Sequence, residues 1–132
     1  MAADSDLNAA LVLRRGTMSR IGQERIALVE AIAAEGSISA AAKAVGLSYK
    51  GAWDAVQALN NLFDAPLVAA STGGKGGGEA TVTPRGAAVV AAFRRVEAGI
   101  GEALARLEDR LAADDLNSAF WSLGMRTSAR NA

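Results

Sequence analysis

Apolar residues recur along this chain at helical spacing in several stretches set apart by serine, glycine and proline. Between Ser19 and Glu35, residues Ile21, Ala27, Leu28, Val29, Ala31 and Ile32 fall mainly on one face, with Glu24, Arg25 and Glu30 mostly on the other, and Gly36 supplies a stop. Ser37 is placed to cap a short second helix in which Ile38, Ala41, Ala42 and Val45 keep i, i+3, i+4, i+7 spacing, and Gly46 closes it. Ser48 caps a third helix, from Tyr49 to about Asp64, with Ala52, Val56, Leu59 and Phe63 as its inner stripe. Upstream, Ala10 to Gly16 reads as a short strand ending at a glycine turn.

Ala65-Pro66 ends the third helix, and Leu67 to Ala70 and Ala80 to Thr83 read as two short strands around the glycine-rich tip Thr72 to Gly78. Thr83 caps and Pro84 opens a last helix running to about Ala113, with Val89, Phe93, Val96, Ile100, Leu104, Leu107 and Leu111 as its apolar seam. About 30 residues at 1.5 Å each extend roughly 45 Å, further than a domain of this size covers, so the seam calls for a second chain. Gly99 and Gly101 weaken the middle of this helix. The pattern predicts a mainly α fold: a helix-turn-helix, a β-hairpin wing and a long C-terminal dimerisation helix.

Composition narrows the chemistry. The 132 residues are 51% hydrophobic and 5% aromatic, which favours packed helices over an all-β fold. Cysteine and histidine are absent, which removes disulfides, thiol nucleophiles, His-dependent triads and thiolate or imidazole zinc sites. No catalytic set, metal site or cofactor is therefore expected, and the chain is not read as an enzyme. No apolar run approaches a membrane span, and the acidic start Asp4-Ser5-Asp6 is unlike a secretion signal, so a cytoplasmic protein is expected. Net charge is zero, yet between Ser37 and Arg95 the basic residues Lys43, Lys50, Lys75, Arg85, Arg94 and Arg95 outnumber Asp54, Asp64 and Glu79 by three.

Opposite the inner stripe of the third helix stand Lys50, Asp54, Gln57 and Asn61, within about 60° of one another at 100° per residue. A helix led by Ser48, Tyr49 and Lys50 can enter a major groove with Gln57 and Asn61 following; lysine can donate to guanine, glutamine can pair with adenine, and Asp54 can accept from cytosine. A polar, solvated face on an ordinary three-helix core stays open as the alternative. The run Thr72 to Gly78 departs from a phosphate-binding Walker loop because Lys75 precedes Gly76 rather than Ser or Thr and a helix. A glycine hairpin with one lysine suits the DNA backbone, and a merely flexible surface loop stays open beside it. Asp114 and Asp115 read as solvated or capping carboxylates, and Trp53 as a residue at the core edge.

With these elements in place, Gly36-Ser37-Ile38-Ser39, Ser48-Tyr49-Lys50-Gly51-Ala52-Trp53-Asp54-Ala55, Thr72 to Gly78 and Thr83-Pro84-Arg85-Gly86 resemble the amino-terminal domain of the ModE-type molybdate-responsive transcription regulators, winged-helix relatives of the LysR type. The resemblance covers about Met18 to Leu111. It implies a homodimer that pairs through the first and last helices on an AT-rich inverted repeat, controlling molybdate-transport or molybdoenzyme genes. Ser39, Lys43, Lys75 and Arg85 are expected to anchor phosphates while Ser48, Tyr49, Lys50, Gln57 and Asn61 face the groove.

The expected organisation is a tail over residues 1–17, the winged helix-turn-helix over 18–83, the dimerisation helix over 84–114 and a C-terminal tail over 115–132. The tail ends where Thr127 to Asn131 resemble the opening of the family's molybdate-binding barrel, so the sequence is expected to lack that sensor, as a natural short form or as a fragment. The apolar tail residues Leu116, Phe120, Trp121, Leu123 and Met125 suit either cover for the seam or docking onto a barrel. A second class of function stays open: a sensorless interaction module that heterodimerises with a full-length ModE-type paralogue and modulates it.

Overall fold

Two serine hydroxyls set where the short helices begin. In the computed structural model, which describes residues 7–17, 19–71 and 78–122 with side chains as far as Asp115, Ser37 Oγ accepts from Ala40 N at 3.1 Å and starts helix α2 (Ile38–Val45). Ser48 Oγ accepts from Gly51 N at 2.9 Å and starts helix α3 (Tyr49–Leu62). Each hydroxyl satisfies an amide that the first helical turn leaves unpaired, worth about 1 kcal/mol apiece. Helix α1 (Gln23–Glu35) ends at Gly36 and α2 at Gly46, both left-handed with φ of 78° and 75°, so the chain reverses sharply after each.

Ahead of α1, strand β1 (Leu13–Arg15) turns at Gly16 and pairs antiparallel with strand β2 (Ser19–Ile21). Ser19 to Ile21 are therefore strand, where the apolar pattern predicts the first turn of a helix. Ile21 is buried either way; the pairing of Arg14 with Arg20 and of Leu13 with Ile21 decides the conformation. After α3, strand β3 (Val68–Ala70) pairs antiparallel with strand β4 (Ala80–Val82), with Val68 opposite Val82 and Ala70 opposite Ala80. Helix α4 (Pro84–Ser122) follows at once and runs past the expected end near Ala113.

Residues 10–97 form one compact unit, and Ala98 onward belongs to another. The core of residues 10–97 is apolar throughout: Ile26, Leu28 and Ile32 of α1, Ile38 and Ala41 of α2, and Ala52, Val56 and Leu59 of α3 meet Leu67, Val68 and Phe93, and no polar residue among those described is buried with them. Two expected positions differ. Leu62, not Phe63, completes the buried stripe of α3, because Phe63 has already left the helix with extended φ and ψ. Phe93, expected in the pairing seam, is 1% exposed and belongs to this core. In the other unit, Leu107 and Leu111 of α4 stand 47% and 45% exposed.

Three elements converge on the backbone of Pro66, Leu67 and Val68. The Asn60 side chain of α3 accepts from Leu67 N at 2.8 Å and Val68 N at 3.0 Å and donates to Val68 O at 3.0 Å. Thr83 donates its hydroxyl to Pro66 O at 2.7 Å and its amide to Leu67 O at 3.0 Å, while the same hydroxyl caps α4 by accepting from Gly86 N at 3.0 Å. Gly86 lies so close that a Cβ there would stand 2.2 Å from Leu67 O and 2.8 Å from Val82 Cγ1. Helix α4 is held to α1 by Arg94, which donates to Glu30 Oε1 at 2.6 Å and Oε2 at 3.1 Å, to Glu97 at 2.8 Å and to Gln23.

Two outcomes follow from this packing. Gly86→Ala must displace backbone rather than a side-chain tip, so it lowers unfolding free energy by about 1–3 kcal/mol in urea titration. The Arg94 guanidinium holds the Glu30 carboxyl below its usual range, so the unfolded chain binds this proton first. The contribution of the pair is complete above an ordinary carboxylate pKa of about 4.3 and fades as pH falls through the lowered value. Glu30→Gln therefore flattens the acid limb of the stability profile, with a loss near neutrality of about 1 kcal/mol or less because the pair is partly exposed.

Candidate nucleic-acid interface

The amphipathic division of α3 gives a face that the described residues leave exposed. Ala52, Val56, Leu59 and Leu62 are buried against the core, and Tyr49, Lys50, Asp54, Gln57 and Asn61 are all exposed on the other side, with exposed Ser48 at the leading end. Of the expected phosphate anchors, Lys43 and Arg85 are exposed and Ser39 is half-buried on α2. Lys75 lies outside the described residues.

The charges on this surface are partly matched internally. Lys50 Nζ donates to Asp54 Oδ2 at 2.9 Å across one helical turn, and that carboxylate makes the ammonium hold its proton more tightly than a free lysine. Arg85 Nη2 lies 3.3 Å from Asp64 Oδ1. The i, i+4 spacing of Lys50 and Asp54 is legible in the sequence, which suggests separate base contacts for the two; their bridge makes them one donor and acceptor unit. Tyr49 meets Trp53 edge to face, with ring centroids 6.2 Å apart, and Trp53 is half-buried against the core. That contact fixes the direction of the leading aromatic of α3.

Asn60 is a positioning residue that the sequence pattern did not single out. Its three hydrogen bonds tie the start of the wing, at Leu67 and Val68, to the last turn of α3, the helix that carries the exposed polar face. The available signal was a carboxamide one turn after Val56, on the side of the helix that otherwise buries carbon. The other end of the wing is held by Ala80 N, which donates to Gly36 O at 2.9 Å, and by Ser71 N, which donates to Glu79 O at 3.0 Å. Among the described residues, no group of three or more Asp, Glu, His or Cys side chains can hold a metal ion, and no helix is long and apolar enough to cross a membrane.

Residues 24–87, from α1 to the first turn of α4, match the family described as bacterial regulatory helix-turn-helix protein, LysR family. Over 97% of its length the chain is 52% identical to the molybdenum-pterin-binding protein MopA of Rhodobacter capsulatus, covering 49% of that protein. It is 42% identical to the molybdenum transport protein ModE of Azotobacter vinelandii over 99% of the chain and 47% of the relative. With the DNA-binding transcriptional dual regulator ModE of Escherichia coli K12 it shares 39% identity over 81% of the chain and 42% of the relative. The chain thus spans about half the length of the curated relatives it matches.

Replacing Asn60 by Ala strands the Leu67 and Val68 amides and the Val68 carbonyl, a loss of about 1–3 kcal/mol for each partner left buried and unmet. Hydrogen exchange at the Leu67 and Val68 amides is expected to accelerate well beyond the change at Leu59 in the middle of α3. Asn60→Asp, which keeps the accepting oxygen, retains part of the protection.

Proposed function

We propose that this chain, which belongs to the LysR-type family of bacterial regulatory helix-turn-helix proteins and to its ModE type, binds duplex DNA as a homodimer and controls genes of molybdenum transport or use. The observation that carries the reading is α3: capped at Ser48, buried along one side and polar along the other, with a hairpin tied to its last turn through Asn60. Tyr49, the Lys50–Asp54 unit, Gln57 and Asn61 meet base edges in the major groove, and Ser39, Lys43 and Arg85 meet phosphates. Lys75, in the glycine-rich run Thr72 to Gly78 of the sequence, adds a further phosphate contact. Arg85 exchanges its Asp64 partner for a phosphate oxygen on binding, which its exposed position permits.

Pairing is supported by apolar surface on α1 and α4. Val29, Glu30 and Ala33 of α1 and Ala87, Val90 and Ala91 of α4, with Val82 of β4, line a recess of about 390 Å³, and Val96, Leu107 and Leu111 are 45–49% exposed. A second copy covers such positions without new chemistry, and two α3 helices then read the halves of an AT-rich inverted repeat, as expected of a twofold protein. The molybdenum connection rests on the relatives' names, and a gene regulator of this kind acts in the cytoplasm.

Selection of bound duplexes from random DNA, with and without molybdate, is expected to return two half-sites about one helical turn apart. On the selected site Gln57→Ala reduces base discrimination by about 1–3 kcal/mol at one position. Lys43→Ala weakens all sequences alike and lowers the salt slope by about one. A chain that shifts no duplex overturns the reading, and a monomer at micromolar concentration in sedimentation overturns the dimer.

A further inference from the structure

The outward face of the amino-terminal hairpin carries charge that no salt bridge among the described residues matches. Arg14 stands directly opposite Arg20 in the β1–β2 register. Side chains alternate across a strand: Ile21 is buried in the core and Arg15 lays its guanidinium 5.9 Å from the Phe63 ring centroid, which sends Arg14 and Arg20 to the opposite face. Both are exposed, and among the described residues neither makes a salt bridge. Arg25 adds a third guanidinium by donating to Arg20 O at 2.6 Å. Glu24 lines the same shallow hollow with Arg20 and Arg25 and bridges to neither.

Like charges facing each other across an antiparallel pair destabilise it, and here they sit on a ladder only three residues long. The arrangement becomes favourable when a polyanion lies against it, and its position supplies one. Arg15 anchors the hairpin on Phe63, just beyond the last turn of α3, and Asn60 anchors the wing on that same turn. Two hairpins therefore flank one end of the helix assigned to the groove.

We propose that the Arg14–Arg20 face is a second phosphate-gripping hairpin, which meets the backbone of the same duplex that α3 reads. The inference rests on the DNA-binding reading above, and its occupant is the DNA backbone rather than an acidic protein surface. Each arginine supplies one sequence-independent contact, so its removal changes salt dependence and not base preference.

The test compares the full chain with Arg14→Ala and Arg14→Glu on the selected duplex across a salt series, with thermal unfolding in parallel. Arg14→Ala lowers the slope of log K against log salt by about one and leaves base preference unchanged. Arg14→Glu places an acid opposite Arg20, so it raises the unfolding temperature while weakening DNA binding by about tenfold or more. Opposite signs in the two readouts separate a DNA contact from a structural role. Wild-type binding with unchanged slope and affinity in both variants overturns the proposal and leaves the DNA reading standing. Loss of stability together with affinity in Arg14→Glu also overturns it. A wild-type chain that shifts no duplex overturns both.

Discussion

The backbone from Pro66 to Val68 is the point on which the arrangement of residues 10–97 depends. It follows the end of α3 at Leu62 by a few residues, begins at a proline and must enter a three-residue strand, too short a ladder to hold itself. Its polar groups are met from two sides: the Asn60 carboxamide takes both amides and one carbonyl, and Thr83 takes the other two carbonyls while capping α4. Gly86 lets α4 approach without a side chain in between. One short segment thus sets the angle of the wing against α3 and the departure of α4 from the wing. These three residues therefore position the exposed polar face of α3 relative to the wing although none of them lies on it.

Electrostatics divides the surface into matched and unmatched cations. Lys50 and Arg85 have acidic partners, and Arg94 has two. These pairs are partly or wholly exposed, so they add little to stability; their effect is to orient the side chains. Lys43, Arg14 and Arg20 make no salt bridge among the described residues. In a chain of zero net charge, matched charges thus have their direction fixed by a partner, and unmatched ones leave local positive potential whose reach falls with salt.

The Arg94 cluster relates the first helix to the last. Its guanidinium reaches Gln23, Glu30 and Glu97 from the one-turn stretch of α4 that also buries Phe93. An apolar anchor and a forked polar clasp on adjacent residues leave the start of α4 little freedom to rotate about its axis against α1. The apolar residues of α1 and α4 that line the recess are thereby held as one surface.

How much of this was legible follows from the range of each interaction. The caps Ser37, Ser48 and Thr83, the stops Gly36 and Gly46, and the inner stripe from Ala52 to Leu59 act within one or two helical turns, so the amino-acid order alone determined the helix-turn-helix, the wing and the start of α4. The polar face of α3 was readable for the same reason, because it is the complement of that stripe. Only the tertiary structure decided that Ser19 to Ile21 pair as a strand, that Asn60 turns inward to the wing, that Phe93 belongs to the core and that Arg85 has an acidic partner. Most of these depend on a partner brought close by folding, as with Leu67 beside Asn60 or Asp64 beside Arg85. Local periodicity records which side of an element is apolar, but not which neighbour will complete a hydrogen bond or displace water from a ring.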